Sequence, residues 1–265
     1  MNMNRVRTII DKEWSEVFKN RMVLFTVAFM PVILTALPLI ILYAMGASGT
    51  EISGATADVP PEFLELCGDA SGMECMQRFM MNQFMIMFMM MPLMIPTAIA
   101  AYSIVGEKTT RSLEPLLATP VTTVELLWGK AAAAALPAII LSWLCFGIFV
   151  LLLPLAGGTP GLIRYIVGPI WLIAILVIGP LLAVAAVNLA VIVSSRVNDP
   201  RVAEQVAGVL IVPIMGLLFG QIAGLIVLNV TLILVSAAVM LALDIGLVLM
   251  GSRLFQRETI LTRWK

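Results

Sequence analysis

Histidine does not occur in the 265 residues. Its absence removes the commonest metal ligand and the commonest acid–base side chain. Charge is scarce too: 12% of residues are charged, about half of what soluble chains carry. No basic stripe stands outside the short breaks between apolar runs, so nucleic acid is not an expected partner. A hydrolytic site inside a membrane would want a Ser–His or Asp–Asp pair or a set of metal ligands, and a lone Asp244 is the only carboxylate within an apolar run. No catalytic residue, metal or cofactor is therefore expected on this chain.

What is abundant is apolar. Hydrophobic residues make up 61% of the chain, and they gather into long runs of about 20 residues, the length that crosses a bilayer core roughly 30 Å thick. The runs cover 22–45, 79–105, 130–154, 168–193, 205–223 and 227–250. The first is too long for the apolar core of a secretory signal and follows 21 polar-rich residues, so it reads as a retained span. Hydropathy alone leaves five or six spans open, because the last two runs are barely separated. Gly216, Gly220 and Gly224 with Gln221 lie where the chain must reverse, and a re-entrant hairpin of two half-spans would suit them as well. Charge decides between the two. With the N-terminus inside, 14 Lys and Arg fall on the inner side and only Arg78 and Arg164 outside, which requires an even number of spans. The expected fold is all-α and integral to the membrane, with six spans in residues 22–265 and both ends in the cytoplasm.

Ahead of the first run, Val6, Ile9, Ile10, Trp14, Val17 and Phe18 recur at helical spacing, with Arg5, Arg7, Asp11, Lys12, Glu16 and Lys19 on the other side. Residues 1–21 thus form an amphipathic elbow helix suited to the cytoplasmic membrane interface, with packing on the rest of the protein as the alternative. The longest outside loop, 46–78, holds Cys67 and Cys75. On an oxidising exterior these two can pair, the alternative being two unrelated thiols. Cys145 lies mid-span, where a small buried hydrophobe is the default. Ten methionines lie between Met73 and Met94. They offer an adaptable surface to a partner helix, lipid or greasy substrate, with ordinary span packing the simpler reading. A soft-metal path has thioethers in its favour but neither histidine nor a nearby intramembrane thiol. Pro31, Pro38, Pro92, Pro96, Pro137, Pro169, Pro180 and Pro213 interrupt the apolar runs, where each removes a backbone donor and favours a bend.

The most patterned polar stretch is the cytoplasmic loop 106–129, which with Lys130 reads GEKTTRSLEPLLATPVTTVELLWGK. Glu107 and Arg111 are four apart and Arg111 and Glu114 three apart, which ties a short helix by its own ion pairs. Pro115 suits a helix start, and Thr122 with Glu125 makes a capping box that opens the third span. Leu113, Leu116 and Leu117 are left to contact something. A P-loop is absent: Gly129-Lys130 is followed by Ala131, and position 124 is Val124. A second cytoplasmic loop carries Arg196, Asn198, Asp199, Arg201 and Glu204, as a further partner contact or a plain solvated turn.

EK-x-x-RSLEPLLATPV followed by ELL-x-GK resembles the loop after the second span in permease subunits of type-2 ABC exporters, particularly those similar to bacterial sodium-efflux permeases. The resemblance extends in outline over the whole chain. It implies a coupling helix docked on a separate ABC ATPase subunit, with Glu107, Arg111, Leu113, Glu114, Leu116 and Leu117 at or near that contact. It also implies a second permease copy or close homologue, surrounding membrane lipids, ATP and Mg bound by the partner, and a prokaryotic plasma membrane as the location. Asp244 is costly in a span and so marks a candidate intramembrane polar site, against a plain hydrogen bond to Asn188 or Ser236. The function expected is export of a substrate that the motif does not specify. The competing reading is a non-transporting accessory or scaffolding subunit of a larger membrane complex.

Overall fold

In the computed structural model, residues 2–19, 21–47, 67, 72–109, 122–194, 196, 197, 199–226 and 228–254 are described. Among them there is no strand, and six helices are long and apolar enough to cross a membrane. Amphipathic α1 (Met3–Lys19) leads into α2 (Arg21–Ala47), which carries the first span. The second and third spans belong to α3 (Gly72–Thr109) and α4 (Thr123–Leu152). The fourth, Pro160–Ser194, is assembled from α5 (Pro160–Ile166), α6 (Pro169–Ile173), a π-helical turn (Ala174–Ile178) and α7 (Gly179–Ser194). The fifth runs through α8 (Pro200–Ala207), a 3-10 turn (Gly208–Leu210) and α9 (Ile211–Ile222), and the sixth is α10 (Val230–Leu254).

The region read as a candidate re-entrant hairpin thus holds two helical segments, Arg201–Ile222 and Val230–Gly251, each long enough to cross. Between them the chain reverses at Gly224, whose φ of 72° lies in the left-handed region that favours glycine. Asn229 then restarts the helix, its Oδ1 accepting the Leu232 N–H at 2.8 Å.

Helix ends differ from the hydropathy limits. α3 starts seven residues before Phe79 and continues to Thr109, taking in the first four residues of the polar loop. Hydropathy marks where apolar surface ends, whereas a helix continues wherever its backbone bonds can. An i,i+4 ion pair between Glu74 and Arg78 supports the first turns of α3. α4 opens seven residues before Lys130 on the Thr122–Glu125 capping box.

α3 is the axis of the bundle. It packs on α7, α4, α2 and α9, and 72% of its span is buried inside the protein, against 11% for the sixth span and 17% for the fifth. The methionines of α3 are part of that packing. Met81, Met85 and Met91 are fully buried, and Met80, Met87, Met89, Met90 and Met94 lie against the same core. Near them Trp171 stacks on Phe146 and Phe149 at 5.9 and 6.0 Å, with Phe88 edge-on at 6.1 Å, joining the second, third and fourth spans. One end of the bundle, here called basal, carries α1; the other, distal, carries a disulfide between Cys67 and Cys75 with a Cα separation of 5.3 Å. Cys145 is a buried free thiol, packed into the main core.

Candidate functional site

At the basal end, α1 runs alongside the first three turns of α4, and every polar or small residue of the Glu125-Leu-Leu-Trp-Gly-Lys130 segment has a role in holding it. Thr122 Oγ1 accepts the Glu125 N–H at 3.2 Å and Glu125 Oε2 accepts the Thr122 N–H at 3.1 Å. That carboxylate has a second task. Its Oε1 accepts the Asn2 N–H at 2.7 Å, and Arg5 stands 3.7 Å from Oε2. One turn on, Gly129 lets Ile9 approach so closely that a Cβ there would meet the Ile9 Cγ2 at 2.8 Å and Cβ at 2.9 Å. Lys130 Nζ donates to Glu13 Oε1 at 2.8 Å and to Ser103 Oγ at 2.7 Å. Finally, the Trp14 indole N–H donates to the Ala133 carbonyl at 3.0 Å.

This junction joins three helices, because Glu13 belongs to α1, Ser103 to the last turns of α3, and Lys130 to α4. α3 ends six residues after Ser103 and α4 begins seven residues before Lys130, so the two helix ends that flank residues 110–121 are held by one cluster. Glu13 and Lys130 have side chains only 3% and 5% exposed. A buried pair of this kind contributes position rather than net stability, since desolvation offsets most of the attraction. α8 braces the same region: Ala203 packs with Ala101 and Val105 of α3, against Val193 and Val197. Between α7 and α8, Asp199 caps α8 by accepting the Arg201 N–H at 2.8 Å.

Of the residues expected to meet a partner, Glu107 lies in the last turn of α3. Arg111, Leu113, Glu114, Leu116 and Leu117 lie outside the described residues. Sequence reasoning missed Glu13, Ser103, Gly129 and Lys130 as a set. A signal for one of them was present. Glu13 stands between Ile10 and Val17 on the apolar stripe of α1, where a charge without a partner would be costly.

Asp244 lies on the buried side of α10, in register with Ile233, Ala237, Met240, Leu247 and Gly251. It is 5% exposed, and neither carboxylate oxygen has a hydrogen-bond partner among the described residues. The partners considered for it are engaged elsewhere: Asn188 Nδ2 donates to Val184 O at 2.9 Å, and Ser236 Oγ to Ile233 O at 2.8 Å. α10 packs chiefly on α7, α6 and the π turn, and residues 169–194, which make up those elements, include no Asp, Glu, Lys or Arg. At the distal end a second polar group ties α3 to α5. Arg78 pairs with Glu74 and lies over the Tyr165 ring at 5.7 Å, and the Tyr165 hydroxyl donates to Asn82 Oδ1 at 3.3 Å. Gly161 belongs to this contact, since a Cβ there would overlap the Glu74 carboxylate.

Six helices long and apolar enough to span a membrane, with an amphipathic helix braced at the basal end, define a multi-pass membrane protein. Residues 7–236 match the family described as ABC-2 family transporter protein, and the chain belongs to that family. Its members are the membrane components of ABC transporters, associated with an ABC ATPase and not themselves the ATPase. No curated protein matches the chain.

Proposed function

We propose that this chain is the membrane-spanning subunit of an ATP-driven exporter, and that loop 106–129 receives the motion of a separate ATPase subunit. The observation that carries this reading is the Glu13–Lys130–Ser103 cluster. It roots both ends of the loop in three helices at once, so a push on the loop moves α1, α3 and α4 together rather than bending a connector. ATP and Mg reside on the partner, and a second permease copy or close homologue completes the pathway. The inner-side excess of Lys and Arg supports cytoplasmic N- and C-termini, and a prokaryotic plasma membrane with its lipids is the setting. ATPase closure that favours one arrangement of the spans would shift their equilibrium by its differential affinity for the two arrangements.

The test is co-purification of the full chain with the ATPase it assembles with, followed by ATP-dependent efflux from vesicles. Leu113→Asp and Glu114→Lys should release the ATPase while the chain stays folded. A chain that holds no ATPase but sits in a fixed complex would support the accessory-subunit reading instead. Asp244, whose carboxylate has no hydrogen-bond partner among the described residues, is proposed as a polar site on the pathway. Unchanged efflux and ion dependence in Asp244→Asn would remove it from that role.

A further inference from the structure

At the π turn of the fourth span, the Ile175 carbonyl has no donor from its own helix at residue 179 or 180. Within the π turn the Gly179 N–H bonds to Ala174 O, five residues back. The Ile175 carbonyl would next look to residue 179 or 180. Gly179 is already engaged, and Pro180 has no N–H. In an apolar span such an orphan is costly, because no water replaces the missing donor. Trp143 of α4 supplies it, its indole Nε1–H donating to Ile175 O at 3.1 Å. Trp143 is 42% exposed whereas Ile175 is 3% exposed, so the ring lies at the protein surface with its N–H turned inward. Position 143 is well inside the third span, away from the membrane boundaries where tryptophan usually gathers.

The surroundings of the bulge differ on its two sides. Just before it, Trp171 is stacked into the aromatic cluster with Phe88, Phe146 and Phe149. Just after it, α7 leads to Val193 and Val197, which pack at the root of loop 106–129. At the junction, a Cβ on Gly179 would touch Pro92 Cγ at 3.6 Å, so the bulge ends against a proline of α3. π-bulges inside α-helices recur at functional sites.

We propose that Trp143 is a positioning residue, and that its hydrogen bond to Ile175 is the latch of a hinge in the middle of the fourth span. With the bond made, residues 174–178 are held in the π form. With it broken, the segment is free to rewind and the basal half of the span turns against the distal half. The hinge follows from backbone donor accounting and does not depend on what the protein carries.

The test places nitroxide labels at Arg164→Cys and Arg196→Cys in a Cys145→Ala chain, reconstituted in lipid nanodiscs. One narrow distance distribution is expected. Trp143→Phe keeps an aromatic ring but removes the N–H, and it should broaden or split the distribution and lower the melting temperature by several degrees. Adding Pro180→Ala restores a backbone N–H that serves Ile175 O in the π form and Leu176 O in the α form, so the melting temperature should rise back toward the parent value and the distribution should become single and narrow again. An unchanged distribution in Trp143→Phe overturns the hinge, as does a broadening that Pro180→Ala leaves in place. Should Trp143→Phe alone fail to fold, Pro180→Ala is compared with the double variant. Matching distributions support the latch, and differing ones overturn it.

Discussion

Lys130 Nζ lies 2.8 Å from Glu13 Oε1, and 117 residues of chain separate the two. The pair is buried and is shared with Ser103, so one ammonium group holds three helices. Removing Lys130 leaves the buried Glu13 carboxylate only the longer contact with Lys12 at 3.9 Å, and removing Glu13 takes from the Lys130 ammonium its charged partner. Lys130→Met and Glu13→Gln are each expected to cost about 3–5 kcal/mol and 2–4 kcal/mol respectively, the first leaving a buried charge and the second a buried ammonium with a weaker acceptor. The double variant Glu13→Leu with Lys130→Met should recover most of the stability while loosening the loop from α1. Thermal melting of all three proteins in one detergent checks the order. A double variant no more stable than the singles would contradict it.

Gly129 is the point of closest approach between α1 and α4. Gly129→Ala is expected to destabilise the chain by roughly 1–3 kcal/mol through overpacking against Ile9. Ile9→Ala in the same chain should relieve only part of that loss, because it removes the Cγ2 contact but keeps the Ile9 Cβ at 2.9 Å. Protease sensitivity of residues 2–19 reports the same change, because an undocked α1 is open to cleavage.

The Cys67–Cys75 bridge closes a short loop, and a cross-link of that size is expected to contribute about 2–3 kcal/mol. Non-reducing peptide mapping should recover the two cysteines as one linked pair. Cys75→Ser should melt earlier, by an amount that dithiothreitol reproduces in the parent chain. Two free thiols in freshly purified protein would refute the expectation.

A buried carboxyl without a partner reduces stability, which makes Asp244 a place where function and stability are expected to oppose each other. Asp244→Leu should melt at a higher temperature than the parent chain, because the replacement removes the desolvation cost. Its ATP-dependent efflux should fall. A variant that is both more stable and fully active would show that the carboxyl has no part in transport.

The six spans were legible because a span is a local property: about 20 apolar residues in a row and charge sorted to one side. The capping box at Thr122 was legible for the same reason, its two partners being three residues apart. The elbow helix showed in its period, yet what it rests on did not. Its apolar face is completed by Glu13, whose place makes sense only beside Lys130. The loop 106–129 was readable as a family motif through resemblance, while the residues beside its ends that join α1, α3 and α4 were not, since Ser103 and Lys130 look like unremarkable polar residues at span ends.

Asp244 shows the opposite balance. Its cost in a span is plain from composition, but whether a partner answers it depends on helix rotation, and Asn188 and Ser236 turn out to satisfy their own helix backbones. Trp143 is similar: that Pro180 would orphan a carbonyl follows from the residue type, whereas the donor comes from another helix.

By itself the sequence determined the membrane class, the number of spans, the amphipathic start and the family motif, all of which depend on residues close together in the chain. Only the tertiary structure decided that Glu125, Gly129 and Lys130 hold α1, that Trp143 closes the gap at Ile175, and that Asp244 finds no hydrogen-bond partner among the described residues. Those contacts depend on how neighbouring helices rotate and slide against one another. A hydropathy pattern fixes a helix's length but leaves that rotation free until side chains more than a hundred residues apart interlock.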